Sequence, residues 1–300
     1  MNARQEYTIK LMKRYRMSYV MMLPYLLLFL LFVVVPVFVA IFFGFTDFDM
    51  INTPSFIGFS NYKKMILQDN LFLTAFKNTL LLATITGPVG YLLSLFLAWF
   101  VSDLSPKLRA LLTALFYVPT LCNVYLVWQL IFSGDSSGFL NSWLLKLGVI
   151  NTAKQWLTDS DILLGVLIFI LLFTSMGTGF LTLVAGFQNT DTSLFEAGAV
   201  DGIRNRWQEL WYITLPSIRP QLMIAAVQSI TSAFGIGTAI DLLCGNPSTD
   251  YKAWTIMNHI NDVGNVRFEV GYACALSTLL FIFMVAANRV IQKLISKVGN

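Results

Sequence analysis

Charge is distributed along this chain so that six long intervals contain no Asp, Glu, Lys or Arg. They are residues 17–46, 78–102, 110–134, 162–190, 220–240 and 270–288, holding 30, 25, 25, 29, 21 and 19 residues. A helix needs about 20 apolar residues to cross the hydrocarbon core of a bilayer. Lipid offers no hydrogen-bond partner to a peptide group, so an open chain can cross it only as a helix. The intervals therefore predict an all-α integral membrane protein with six transmembrane helices, forming one domain over residues 1–300. Composition agrees, because only 12% of the residues are charged, about half the share found in soluble domains.

The basic residues orient the spans. With the amino terminus inside, the inner segments hold Arg4, Lys10, Lys13, Arg14, Arg16, Lys107, Arg109, Arg204, Arg206, Arg219, Arg289, Lys293 and Lys297. The outer segments then hold Lys63, Lys64, Lys77, Lys146, Lys154, Lys252 and Arg267, which makes 13 against 7. The positive-inside rule puts both termini in the cytoplasm, together with the polar loop 191–219. The net charge of +4 follows from this topology and does not point to nucleic acid. The first interval is about twice as long as the apolar region of a signal peptide, and no small-residue cleavage site follows it. The expectation is a retained first helix, with Pro24 and Pro36 at kinks or ends.

Between the spans, the stretch Asn61 to Phe76 is amphipathic and predicts one helix lying along the membrane surface. Trp143 and Trp156 are placed to anchor a loop at the interface. Cys122 and Cys274 fall inside spans, Cys244 just beyond one, and His259 in an outer loop. None has the spacing of a metal site or a disulfide framework, so the cysteines read as small buried residues. No nucleophile–base pair is visible, which argues against an enzyme.

The loop 191–219 is more polar than a connector requires. Asp191, Thr192 or Ser193 can cap a short helix, with Phe195, Ala199 and Val200 as its apolar face. Gly202 turns the chain. Trp207, Leu210, Trp211 and Ile213 have the spacing of a second short helix, and Pro216 and Pro220 mark re-entry into the fifth span. Ala197, Gly198 and Ala199 make a small-residue surface that another protein backbone could approach. The alternative is an amphipathic interfacial loop without a partner.

These residues also carry a resemblance. Glu196-Ala197-Gly198, Asp201-Gly202 and Ile213-Thr214-Leu215-Pro216 are similar to the signature loop of ABC importer permeases. Its usual form is Glu-Ala-Ala, three residues, Gly, nine residues, Ile, any residue, Leu-Pro. This chain has Gly198 in place of the second Ala, and ten residues separate Gly202 from Ile213. Ile57-Gly58-Phe59-Ser60-Asn61-Tyr62, followed by Phe76-Lys77-Asn78-Thr79, resembles the sugar-permease branch. The resemblance implies the type I ABC importer permease fold in a bacterial plasma membrane. It implies a coupling helix containing Glu196, Ala197, Gly198, Asp201 and Gly202 that docks on a cytoplasmic ATPase, with Glu196 facing a basic residue. It also implies a second, similar permease chain, two ATPase subunits and an extracellular solute-binding protein. The sequence contains no phosphate-binding Gly-x-x-x-x-Gly-Lys-Ser/Thr loop, so ATP and Mg2+ are expected in the ATPase and no cofactor in this chain.

No charge falls inside the six intervals. Intramembrane ionisable groups mark ion and proton paths, so their absence favours a neutral, hydroxyl-rich cargo over an ion-coupled carrier. Polar residues do recur at helical spacing: Gln228 and Ser232, on one face with Gly235; Ser175 and Thr178; Tyr125 and Gln129. The fourth and fifth spans line the cargo path in the resembled sugar permeases, which implies Gln228 and Ser232 first, then Ser175 and Thr178. The alternative use of such groups is hydrogen bonding between helices. Tyr117, Tyr125 and Trp128 could stack on a sugar face or serve in packing. An ABC permease for a polyamine or a phosphate ester is the remaining alternative.

Overall fold

The computed structural model describes residues 14–122 and 124–296. Arg4, Lys10, Lys13 and Lys297, which contribute to the charge asymmetry, lie outside the described residues. Within them the protein is helical, with one isolated bridge between Thr46 and Phe56. Helix α1 spans Arg16–Phe43, with a π-helical turn at Leu30–Val34 just ahead of Pro36, and none of its apolar core is buried within the chain. Helix α2 is Ser60–Leu67, α3 is Asn70–Ser102, α4 is Pro106–Leu121, α5 is Val124–Ile131 and α6 is Phe139–Lys146. Helix α7 is Leu163–Thr174, α8 is Thr178–Gln188 and α9 is Thr192–Val200. Helix α10 starts at Arg206–Glu209, passes through a π-helical turn at Leu210–Thr214 and ends with Leu215–Ser217. Helix α11 is Arg219–Phe234, α12 is Gly237–Cys244, α13 is Ile256–Asn261 and α14 is Val270–Ile295.

The centre of the molecule is the mutual packing of α3, α8 and α11. One stripe of α3 explains it. Ala75, Thr79, Ala83, Gly87, Gly90, Ser94 and Ala98 recur every three or four residues and are all buried. Helices in lipid associate by close van der Waals approach, which small residues permit. At Gly90 the approach is so tight that a Cβ would stand 2.8 Å from the Ser175 side chain.

Several spans differ from the charge-gap expectation. The second begins at Asn70, eight residues before the gap opens at Asn78, and the surface helix expected over Asn61 to Phe76 ends at Leu67. The cause is Asp69, whose carboxylate accepts the Phe72 N–H at 2.9 Å and so starts a new helix. The third expected span is two helices, α4 and α5, bent by 83°. The fourth is interrupted between Thr174 and Thr178, and the fifth continues through a 44° bend into α12. That extension brings Cys244 inside the helix, buried, and places Asp241 within the broken fifth span. Asp241 lies one residue past the charge-free interval 220–240. Asp241 accepts the Asn258 amide at 2.7 Å, and the same amide reaches the Gly237 carbonyl at 2.9 Å, so the group pins α12 to α13. Of the two expected anchors, Trp143 is exposed, while the half-buried Trp156 donates its indole N–H to Asn141 at 2.8 Å.

One polar cluster ties the Asp69 end of the bundle together. His259 is only 1% exposed, and its Nε2 lies 2.8 Å from Asp69. The Tyr272 hydroxyl donates to the same carboxylate at 2.6 Å. Lys64 pairs with Glu269 and sits 4.5 Å from the Tyr272 ring centroid. The lone histidine is thus a packing and hydrogen-bonding element joining α3, α13 and α14. Burial opposes ionisation of Asp69, but the bonds from Tyr272, Phe72 N–H and His259 outweigh it and hold the carboxyl below its ordinary range. A depressed carboxyl pKa contributes stability that is present above the unfolded value and lost as pH falls through the folded one. Thermal unfolding in detergent should therefore shift down as pH falls below about 4. Asp69→Ala should cost about 2 kcal/mol at neutral pH and remove that acid sensitivity; an unchanged pH profile would contradict the assignment.

Candidate functional site

At the opposite end of α3, the segment 191–219 folds as a helix–turn–helix. Asp191 caps α9 by accepting the Ser193 N–H at 3.0 Å. The helix ends with Gly202 at φ +93, while Ile203 N–H bonds to Gly198 O at 2.9 Å and Gly202 N–H to Ala199 O at 3.3 Å. This is the paired 6→1 and 5→2 arrangement of a Schellman terminus, for which glycine in the left-handed conformation is the usual residue. Helix α10 is capped by Asn205, which accepts the Gln208 N–H at 2.9 Å, while Gln208 Oε1 accepts the Arg204 N–H at 2.9 Å. Asn-x-x-Gln just ahead of apolar residues is a legible capping signal that the sequence reading passed over.

The two departures from the signature meet in one place. A π-helical turn closes i→i+5 hydrogen bonds and so accommodates one more residue than an α-turn. Such a turn covers Leu210–Thr214, and the Thr214 hydroxyl adds its own bond to Glu209 O at 3.2 Å. That turn carries the end of the ten-residue interval and Ile213 itself. Ile213 then lies directly on Gly198, where a Cβ would stand 2.5 Å from its Cδ1. Gly198 is buried, so the expected surface of Ala197, Gly198 and Ala199 is not continuous: Ala197 and Ala199 are exposed, and Gly198 faces inward. Nor do Phe195, Ala199 and Val200 form one apolar face, because Phe195 is half-buried and Val200 is 88% exposed.

The uncovered surface consists of Glu196, Ala197, Ala199, Val200, Asp201 and Gly202. Glu196 makes no ion pair among the described residues. The segment is fastened to the end of α3 by an Arg206–Asp103 ion pair and by Trp207, whose ring lies 5.0 Å from that of Trp99.

Deeper in the bundle, a cavity of about 30 Å3 lies at the break between α7 and α8. Ser175 and Thr178 line it from the fourth span, Gln228 and Ser232 from α11, and Tyr91 and Ser94 from α3. An adjoining space of about 70 Å3 shares Ser175 and Ser232 and adds Tyr125. Four of the six path residues named from sequence thus converge, and Tyr125 borders them. Gln129 is exposed and lines neither space. Tyr91 and Ser94 were missed because α3 was not considered, its small-residue stripe being the available signal; Ser229 lies on α11 beside Gln228 and was passed over there. Both spaces are far below the roughly 300–1,000 Å3 of small-molecule pockets. The central helices are therefore closed on one another in this state. Several lining groups are already occupied: Ser229 bonds to Gly87 O at 2.9 Å, Ser175 to Leu172 O at 2.7 Å, and Gln228 Oε1 accepts from Thr182 at 3.5 Å.

A helical bundle with broken central spans, a polar cavity between them and a capped, uncovered helix–turn–helix at one end defines a membrane transport permease. Residues 90–297 match the family described as binding-protein-dependent transport system inner membrane component, and the chain belongs to that family. It is an inner-membrane ABC transport component and not an enzyme. Its relatives include the probable ABC transporter permease protein YesP of Bacillus subtilis (strain 168), 27% identical over 89% of this chain and 86% of that one. The arabinooligosaccharides transport system permease protein AraP of the same organism is 27% identical over 92% and 87%. The diacetylchitobiose uptake system permease protein NgcF of Streptomyces coelicolor is 28% identical over 85% and 75%. The fold matches, with a TM-score of 0.72 and 23% identity, a chain of a bacterial ABC transporter involved in import of the acidic polysaccharide alginate, covering 96% of this chain and 99% of that one.

If Ile213 is seated on Gly198 as described, Gly198→Val should destabilise the purified protein by about 1–3 kcal/mol through overpacking. Adding Ile213→Ala should recover part of that loss. Additive losses in thermal unfolding would contradict the contact.

Proposed function

We propose that this chain is one of two permease subunits of an ATP-driven importer for a sugar or oligosaccharide. It crosses the membrane six times, with α4–α5, α7–α8 and α11–α12 each counted as one broken span and both termini in the cytoplasm. The segment 191–219 faces the same side and acts as the coupling element. Glu196, Ala197, Asp201 and Gly202 form its docked face, and Gly198 shapes that face from within by seating Ile213. The energy comes from two ATPase subunits, which hold ATP and Mg2+. An extracellular solute-binding protein delivers the cargo, and a second, similar permease chain completes the path. Gln228, Ser232, Ser175 and Thr178 contact the cargo once the central helices separate, joined by Tyr91, Ser94 and Ser229, with Tyr125 at the border.

The observation that carries this reading is the α9 turn: capped from within at both ends, yet with its acidic and apolar face uncovered. A segment that satisfies its own backbone so fully is held ready for a partner. The names of AraP and NgcF support a saccharide cargo. Membership of the family takes over from the missing carboxylates as the reason to set aside an ion-coupled carrier, since Asp241 is engaged in joining two helices.

Glu196→Lys should weaken co-purification of the ATPase by about tenfold or more, as expected when one member of a charged contact is reversed, while membrane insertion stays intact. Full ATPase recovery would remove the coupling role. Gln228→Ala should reduce saccharide uptake by about tenfold and leave recovery of the partner subunits unchanged. Unaltered transport kinetics would take Gln228 out of the path.

A further inference from the structure

The cavity at the α7–α8 break places free backbone N–H groups, which only donate, beside hydroxyls that donate and accept. Helix α8 begins at Thr178 after Gly177, which supplies no side-chain cap. The first N–H groups of a helix have no intrahelical acceptor. Here Phe180 N–H is taken up by Gly177 O at 3.1 Å, but Thr178 and Gly179 N–H donate to no group among the described residues. Both residues line the cavity. From α3, Ser94 borders the same space while only 5% exposed, and its hydroxyl makes no hydrogen bond among the described residues. Gln228 uses its carbonyl oxygen toward Thr182, which leaves its amide N–H groups free. No Asp or Glu lines this cavity or the adjoining one.

A sugar hydroxyl both donates and accepts, whereas a carboxylate only accepts. A helix start also carries a partial positive charge, and in transporters the ends of interrupted helices are aimed at anionic substrate groups. We propose that the saccharide passed by this chain carries a carboxylate, as a uronic acid does. The carboxylate is held at the start of α8 by Thr178 and Gly179 N–H, the Ser94 hydroxyl and the Gln228 amide. The cavity of about 30 Å3 is room for a group of one or two waters' size, which suits a carboxylate and excludes a sugar ring. The neutral cargo expected from the absence of charged side chains is replaced, because backbone donors supply the field that a lysine or arginine would otherwise provide. This inference rests on the saccharide-importer reading above.

The test uses the importer isolated with its own partner subunits and binding protein, reconstituted in proteoliposomes with ATP. Uptake of a hexuronate disaccharide is compared with that of the hexose disaccharide of the same linkage. Hexuronate should be imported, and Ser94→Asp should cut its uptake by about tenfold or more, while Ser94→Thr, which keeps the donor, should lose less than Ser94→Asp. Partner co-purification reports assembly. Should Ser94→Asp fail to assemble, Thr178→Pro removes one N–H at a position where proline starts helices. It should lose more hexuronate uptake than Thr178→Val. Import of the hexose alone would overturn the acidic assignment and leave the saccharide reading standing. Import of neither would overturn both. Hexuronate import indifferent to Ser94→Asp, or equal in the two Thr178 variants, would remove the site from the start of α8.

Discussion

A peptide group inside hydrocarbon must find its hydrogen-bond partner within the protein, and the centre of this chain is organised around two places where a span gives that up. The breaks at Ser175–Gly177 and Gly235–Ile236 fall in two spans packed against each other through α8 and α11, with α3 against both. Their position explains why α3 carries a stripe of alanine, glycine and hydroxyl residues. Only a backbone that comes very close can shield the breaks from lipid, and the Gly90–Ser175 contact is that approach at its tightest. The neighbouring hydroxyls add bonds to helix carbonyls: Thr174 reaches Ile170 O at 3.0 Å, and Ser229 crosses to Gly87 O at 2.9 Å.

Hydropathy and charge made the apolar segments legible without coordinates, and the spacing in residues 191–219 made their two short helices legible. They could not reveal the breaks. Ser175-Met176-Gly177 costs a span only a few hydrogen bonds and leaves its apolar run intact, so a count of uncharged residues passes over it. Asp69 was read as part of an amphipathic run because that pattern weighs polarity and ignores which carboxylate caps a helix. Gly198 was placed on the wrong face for a different reason. Its burial depends on Ile213, fifteen positions along, and on a π-turn that shifts Ile213 by one residue. The pairs Gln228–Ser232 and Ser175–Thr178 were readable from spacing, and their meeting was implied by the resemblance to sugar permeases. The contribution of α3 required the packing.

Helix α3 also joins the two ends of the molecule. Its 33 residues span about 50 Å as a straight helix. At its first residue Asp69 gathers His259 and Tyr272; at its last turn Asp103 holds Arg206 and Trp99 meets Trp207. One continuous element thus carries a polar clasp at each end and the small-residue stripe between. Separation of the central helices must therefore be accommodated by the elements around α3, at the bends between α7 and α8 and between α11 and α12.

The π-turn at Leu210–Thr214 sets which side chain meets Gly198. A residue gained in a loop lengthens the loop and changes little else. Gained inside a helix, it would ordinarily rotate everything beyond it by about 100°. Here the i→i+5 closure of the wider turn holds one residue more per turn than an α-turn does, and Ile213 within it meets Gly198. A residue removed between Leu210 and Thr214 would therefore turn Ile213 away from Gly198, leaving the space that the missing side chain at 198 provides without its occupant.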